Sequence, residues 1–129
     1  MNMENNNLVK WVLRISIAGE FIGHGLLALG GKLDWIKWIS MMIGTSPEMS
    51  LTLLWCIGAF DLVVAIIVLM RPIPAILLWA TFWGFWTALV RPLVGVGWLD
   101  FVERSTNWGA PLALLLIIGW PKSLREWFR

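Results

Sequence analysis

Between Leu51 and Met70 the chain runs for twenty residues with a single charge, Asp61. A helix rises about 1.5 Å per residue, so such a run reaches across the ~30 Å hydrocarbon core of a bilayer. With no water to satisfy its backbone amides, an isolated apolar run of this length has to be helical. Further apolar runs, at about residues 8–29, 74–90 and 100–120, meet the same condition. The chain is 59% hydrophobic and 14% charged, with a mean hydropathy of +0.77. Ordinary soluble domains hold roughly 45–50% apolar and about 25% charged residues. The expected fold is therefore all-α: a polytopic membrane protein, one domain over residues 1–129, built as a four-transmembrane-helix bundle in the lipid bilayer. The polar N-terminus MNMENNN lacks the basic start of a secretory signal, so the first run is read as a retained helix.

The connections carry their own signals. In KLDWIKWISMMIGTSPEMS, the residues Trp35, Ile36, Ile39, Met42 and Ile43 alternate with Lys32, Asp34 and Lys37. That pattern predicts a short amphipathic helix over about 33–43, lying in the membrane interface between helices 1 and 2. Gly44, Ser46 and Pro47 end it, and Ser50 is the expected cap of the next span. The turn RPIP joins spans two and three as an antiparallel hairpin, and RPLVGVGWLD reads as a tight or re-entrant loop. To reach bilayer length the fourth span starts before Trp108, which brings Glu103, Arg104 and Asn107 onto its first turns.

Lys and Arg indicate orientation. Lys10, Arg71, Lys122, Arg125 and Arg129 fall on one side, and Lys32, Lys37, Arg91 and Arg104 on the other. The C-terminal cluster KSLREWFR tips the balance toward both termini in the cytoplasm, in what reads as a bacterial inner membrane. Ten basic residues and a net charge of +2 form no nucleic-acid footprint. One cysteine, Cys56, excludes an internal disulfide or a CxxC pair.

Ionisable residues inside a span cost about 2.5–3.5 kcal/mol each on insertion scales and normally face the bundle interior. On the first helix Ser16, Glu20, Gly23, His24 and Leu27 share a face, opposite Ile15, Ala18, Ile22, Leu26 and Leu29. Gly19 and Gly23 form a GxxxG spacing on the polar side, which predicts close helix approach there. On the second, Leu54, Gly58, Asp61 and Ala65 form a stripe of mostly small residues, with Asp61 at a depth similar to that of Glu20. Arg14 is placed to snorkel at the inner end. Glu20, His24, Asp61, Arg91, Glu103 and Asn107 are thus expected to line one cavity that binds a ligand or relays protons; the alternative is paired side chains that hold the bundle together. Trp79, Trp83 and Trp86 form an aromatic wall on helix three, suited either to a flat or isoprenoid ligand such as a quinone or to another subunit. A lone histidine cannot supply two imidazoles to a haem, and Glu20 with His24 lacks two of the four ligands of a zinc site. No nucleophile–base pair, P-loop or dinucleotide motif is present, so catalytic residues are not assigned and any metal site is expected to be absent.

RISIAGEFIGHGLLALGGK, GAFDLVVAIIVL, RPL and ERSTNWGAPLALLLI together resemble the DoxX-like family of small four-helix bacterial membrane proteins, over nearly the whole chain. His24–Gly25 and Asn107–Leu115 carry the resemblance best, and His24, Asp61, Arg91 and Asn107 lie at matching polar positions. The resemblance implies a link to thiosulfate:quinone oxidoreductase and to quinone-linked membrane complexes. The chain is then an accessory subunit with other membrane subunits as partners, rather than an autonomous enzyme. Two other functions fit the residues: a non-catalytic structural subunit docking a larger complex through Trp-rich faces, and a small oligomeric transporter.

Overall fold

The computed structural model describes residues 2–129. The chain is all-α, and no strand occurs among the described residues. Helix α1 spans Met3–Leu29, α2 Leu33–Ile43, α3 Pro47–Met70, α4 Pro74–Leu93, α5 Trp98–Glu103, α6 Ser105–Ile118 and α7 Leu124–Trp127. Three of them, α1, α3 and α4, are long and apolar enough to cross a membrane.

The helix boundaries follow from local chemistry. Asn2 caps α1 by accepting from the Asn5 amide at 2.8 Å. Gly44 takes the left-handed conformation, with φ 69°, and closes α2 by donating to the Ser40 carbonyl at 2.8 Å. Pro47 and Pro74 occupy first-turn positions, where a missing N–H costs nothing. The cap of α3 is Ser46, which accepts from the Met49 amide at 3.2 Å, and not Ser50. Ser50 is fully buried and its hydroxyl lies 2.7 Å from that of Ser40 and 2.6 Å from that of Thr45, tying α2 to the start of α3.

Packing pairs α1 with α3 and α4 with α6, and the pairs meet through a common core. Ile17 and Phe21 of α1, Val64 and Val68 of α3, Leu77 of α4 and Leu114 of α6 are all nearly inaccessible. The buried face of α1 is Ile17, Ala18, Phe21, Gly25 and Ala28. The expected inward face is therefore corrected: Ser16, Gly23 and Leu27 are exposed, and Ala18 is buried. Gly19 and Gly23 do not mediate the crossing, since a Cβ on either meets nothing within 4 Å. Gly25 and Gly58 do: a Cβ on Gly25 would stand 2.9 Å from the Gly58 carbonyl oxygen, and one on Gly58 2.8 Å from that of Gly25. The reason is periodicity. Ala18, Phe21, Gly25 and Ala28 recur at steps of three and four, a complete seam, and Glu20 and His24 flank it. The stripe expected on α3 holds, as Leu54, Gly58, Asp61 and Ala65 are all buried.

Two expected connections are also revised. The turn after α3 reverses the chain, but α3 and α4 pack only lightly, because the Gly58 seam commits α3 to α1. The run expected as one span over 100–120 is broken into α5 and α6 at Arg104, where φ is −96° and ψ 18°. Side chains there take carbonyls that a continuing helix would bond: Arg104 Nη1 donates to the Asp100 carbonyl at 3.0 Å, and Ser105 Oγ to that of Val102 at 2.6 Å.

The N-terminal half of α1, the α3–α4 turn and the chain's end share one end of the fold. Arg71 Nε donates to the Arg129 carbonyl at 3.2 Å. Arg14 does not extend outward there. It lies over Trp11, 4.0 Å from the ring centroid, and donates to the Val68 and Leu69 carbonyls, which terminate α3 without amide partners of their own.

Candidate functional site

Because α3 and α4 are held apart, a cavity of about 410 Å³ remains between them at the end where α2 folds over. Trp35, Trp38 and Met42 of α2 close it from one side, and Trp83 and Trp86 of α4 from another. Its polar groups are few: His24 of α1, Asp61 of α3, and Thr87 and Arg91 of α4.

Asp61 is 3% exposed and Arg91 7% exposed. They line the same space from facing helices, yet they form no salt bridge with each other. Among the described residues no carboxylate oxygen comes within 4.0 Å of Arg91, and no hydrogen-bond donor reaches Asp61. Arg91 instead donates Nη1 to the Thr87 carbonyl, one turn back, at 2.6 Å, and its guanidinium stands 5.2 Å from the Trp38 ring centroid. A guanidinium carries five N–H donors, so most of this group's capacity is unused. A buried acid and a buried base facing a common void without touching can serve a molecule with polar atoms at two places.

His24 sits at the edge of this space. Its ring meets Trp35 edge-on, with centroids 5.7 Å apart, and its Nδ1 lies 3.9 Å from Glu20 Oε1, beyond hydrogen-bond length. Glu20 does not line the cavity. The i, i+4 spacing of Glu20 and His24 places the carboxyl one turn behind the imidazole.

Besides Glu20, three residues expected at the site are elsewhere. Glu103 is exposed and pairs with its neighbour Arg104 at 2.7 Å. Asn107 meets α4 through its backbone, not its amide: a Cβ on Gly84 would collide with the Asn107 carbonyl. Trp79 is stacked on Trp83, with centroids 5.4 Å apart and planes 13° apart, but it belongs to the core, where its indole N–H is buried without an acceptor. Trp83 and Trp86 do reach the cavity, because they lie one and two turns further along α4 toward the end that α2 covers, whereas Trp79 meets Phe60 of α3 nearer the α3–α4 turn. Missing from the expected set are Trp35, Trp38 and Thr87. For Trp35 the signal was the apolar face of α2, which the structure turns toward the cavity. Among the described residues no three His, Cys, Asp or Glu side chains gather as metal ligands would.

Comparison with family models, curated proteins and solved structures finds no match to this chain.

Proposed function

We propose that the chain is a DoxX-like integral-membrane subunit of a quinone-linked oxidoreductase, and that the α2–α3–α4 cavity binds the head group of a quinone-like ligand. The observation that carries this is the pairing of buried, mutually unbonded Asp61 and Arg91 across a cavity walled mostly by indoles and aliphatic chains. Small-molecule sites are typically apolar clefts of about 300–1,000 Å³ with a few convergent polar groups. In this reading Arg91 donates to one carbonyl of the ring, Asp61 serves the opposite oxygen, and Trp83 and Trp86 flank the ring face. Asp61, His24 and Glu20 then form a path for protons, and electrons come from a partner subunit.

The membrane arrangement belongs to the same proposal. The fourth crossing is α6, whose fourteen residues rise only about 21 Å, with α5 at the surface completing the distance. Helix α2 lies along the interface and roofs the cavity. The positive-inside balance sets both termini in the cytoplasm of a bacterial inner membrane. A docking role through Trp-rich faces loses Trp83 and Trp86 to the cavity, and Trp11, Trp55, Trp98 and Trp120 remain exposed for lipid or a partner.

Titrating the purified protein in nanodiscs with a decyl-substituted benzoquinone tests the reading, since a bound quinone quenches the flanking tryptophans. Arg91→Gln and Asp61→Asn should each weaken binding about 10-fold or more, the scale of a hydrogen bond to a charged group. Equal affinity in the wild type and both helical, monodisperse variants sinks the proposal.

A further inference from the structure

The cavity has a deep end and a mouth, and they differ in chemistry. Asp61, Arg91 and Leu54 are its buried lining residues, whereas Ile43 and Cys56 are its exposed ones. The floor thus holds the charged groups and the rim is apolar. Cys56 lies ~14 Å along α3 from Pro47, at 1.5 Å per residue. It is ~8 Å from Leu51, where the apolar run of α3 begins, and so lies within the hydrocarbon on the α2 side of a ~30 Å core. An opening to water would need polar groups on its rim, and neither Cys56 nor Ile43, at the end of α2 above it, supplies one. The cavity's volume, about 410 Å³, is near the low end for small-molecule sites. It has room for a ring and the start of a tail, and a longer tail has to leave through the rim.

We infer that the cavity opens sideways into the hydrocarbon between α3 and α4, past Cys56, and that its occupant is a single-tailed amphiphile that enters from the bilayer with its polar head against Arg91 and Asp61 and its tail lying in the opening. This rests on the quinone reading for the head group and adds the route and the tail. A water-soluble ligand, with no tail to place, is the competing occupant.

Cys56 is the chain's one cysteine, so it takes a nitroxide label without other changes. The control is Val63→Cys in a Cys56→Ala background: Val63 is 48% exposed on the same helix and does not line the cavity. In nanodiscs the decyl-benzoquinone should broaden the Cys56 spectrum and lower its collision rate with oxygen at least two-fold, while the Val63→Cys label stays unchanged. The same ring without its tail should leave both labels unchanged while still quenching tryptophan. Quenching by the decyl compound with no change at Cys56, or equal changes from the tailed and tail-less rings, overturns the lateral route and leaves the head-group site standing. If neither compound quenches, the quinone reading falls and this inference with it. A Cys56 label that collides more often with a water-soluble nickel chelate than with oxygen overturns the hydrocarbon opening in every case.

Discussion

Pro111 lacks an amide hydrogen, and the consequence appears on a neighbouring helix, at Gly84. In α6 the carbonyl four residues before Pro111 is that of Asn107, which therefore has no helical donor and is pushed aside by the proline ring. That carbonyl is the group that meets Gly84, where a Cβ would come within 2.7 Å of the Asn107 carbonyl carbon and 3.2 Å of the Trp108 amide nitrogen. Both obstacles are backbone, so a methyl group fits only if α4 and α6 move apart. Gly84→Ala should cost about 1–3 kcal/mol, the range for overpacking, and should lower the thermal midpoint in detergent. Gly23→Ala should be neutral or slightly stabilising, because the added methyl meets nothing and helical glycine costs roughly 0.5–1 kcal/mol relative to alanine. The reverse order of midpoints would put the close helix contact back on the GxxxG face. The proline was visible in the sequence; its pairing with a glycine 27 positions earlier was not, because spacing along one helix says nothing about which carbonyl faces which neighbour.

Among the elements, α2 changes most between sequence and structure. Its extent, Leu33–Ile43, is the one its amphipathic pattern predicts. Its covering is not. The hydroxyls of Ser40, Thr45 and Ser50 close a small bonded cluster that docks α2 on α3, and Trp35 and Trp38 turn into the cavity. Ser50→Ala removes the shared partner of the other two hydroxyls. It should cost about 1–2 kcal/mol, since a typical hydrogen bond contributes roughly 0.5–1.5 kcal/mol. It should also speed amide exchange across residues 33–43 while leaving α1 and α4 protected. Unchanged exchange in α2 would mean that indole packing alone holds it. The α1 face shows the opposite case. Polar residues drew the expected interior toward Glu20 and His24, but the tight seam one position further on decided the packing, and the polar pair was left at its edge.

At the scale of the molecule, the ends of the fold separate its tasks. The termini and the α3–α4 turn gather at one end, joined by Arg71 and Arg129, and the cavity, α2 and the α4–α5 junction occupy the other. The proposed orientation, with both termini cytoplasmic, predicts that a fluorescent protein fused after Arg129 is bright in a bacterial host and that a periplasm-dependent phosphatase inserted after Lys32 is active; a dark fusion with an inactive insertion would invert the topology. Length and hydropathy by themselves determined that the chain is helical and located α2 and the three long apolar helices, because those properties depend on residues within about four positions of one another; the run expected as a fourth span over 100–120 is divided at Arg104. They also marked Asp61, Arg91 and His24 as costly enough in an apolar segment to need a reason. Only the tertiary structure decided that Asp61 and Arg91 share a cavity while Glu103 and Asn107 do not, and that α3 pairs with α1 in place of α4. Each of those outcomes turns on the rotation of one helix about its axis against another. That rotation is set by where two backbones can touch, as at Gly25–Gly58 and Gly84–Asn107, and no pattern along a single helix contains it.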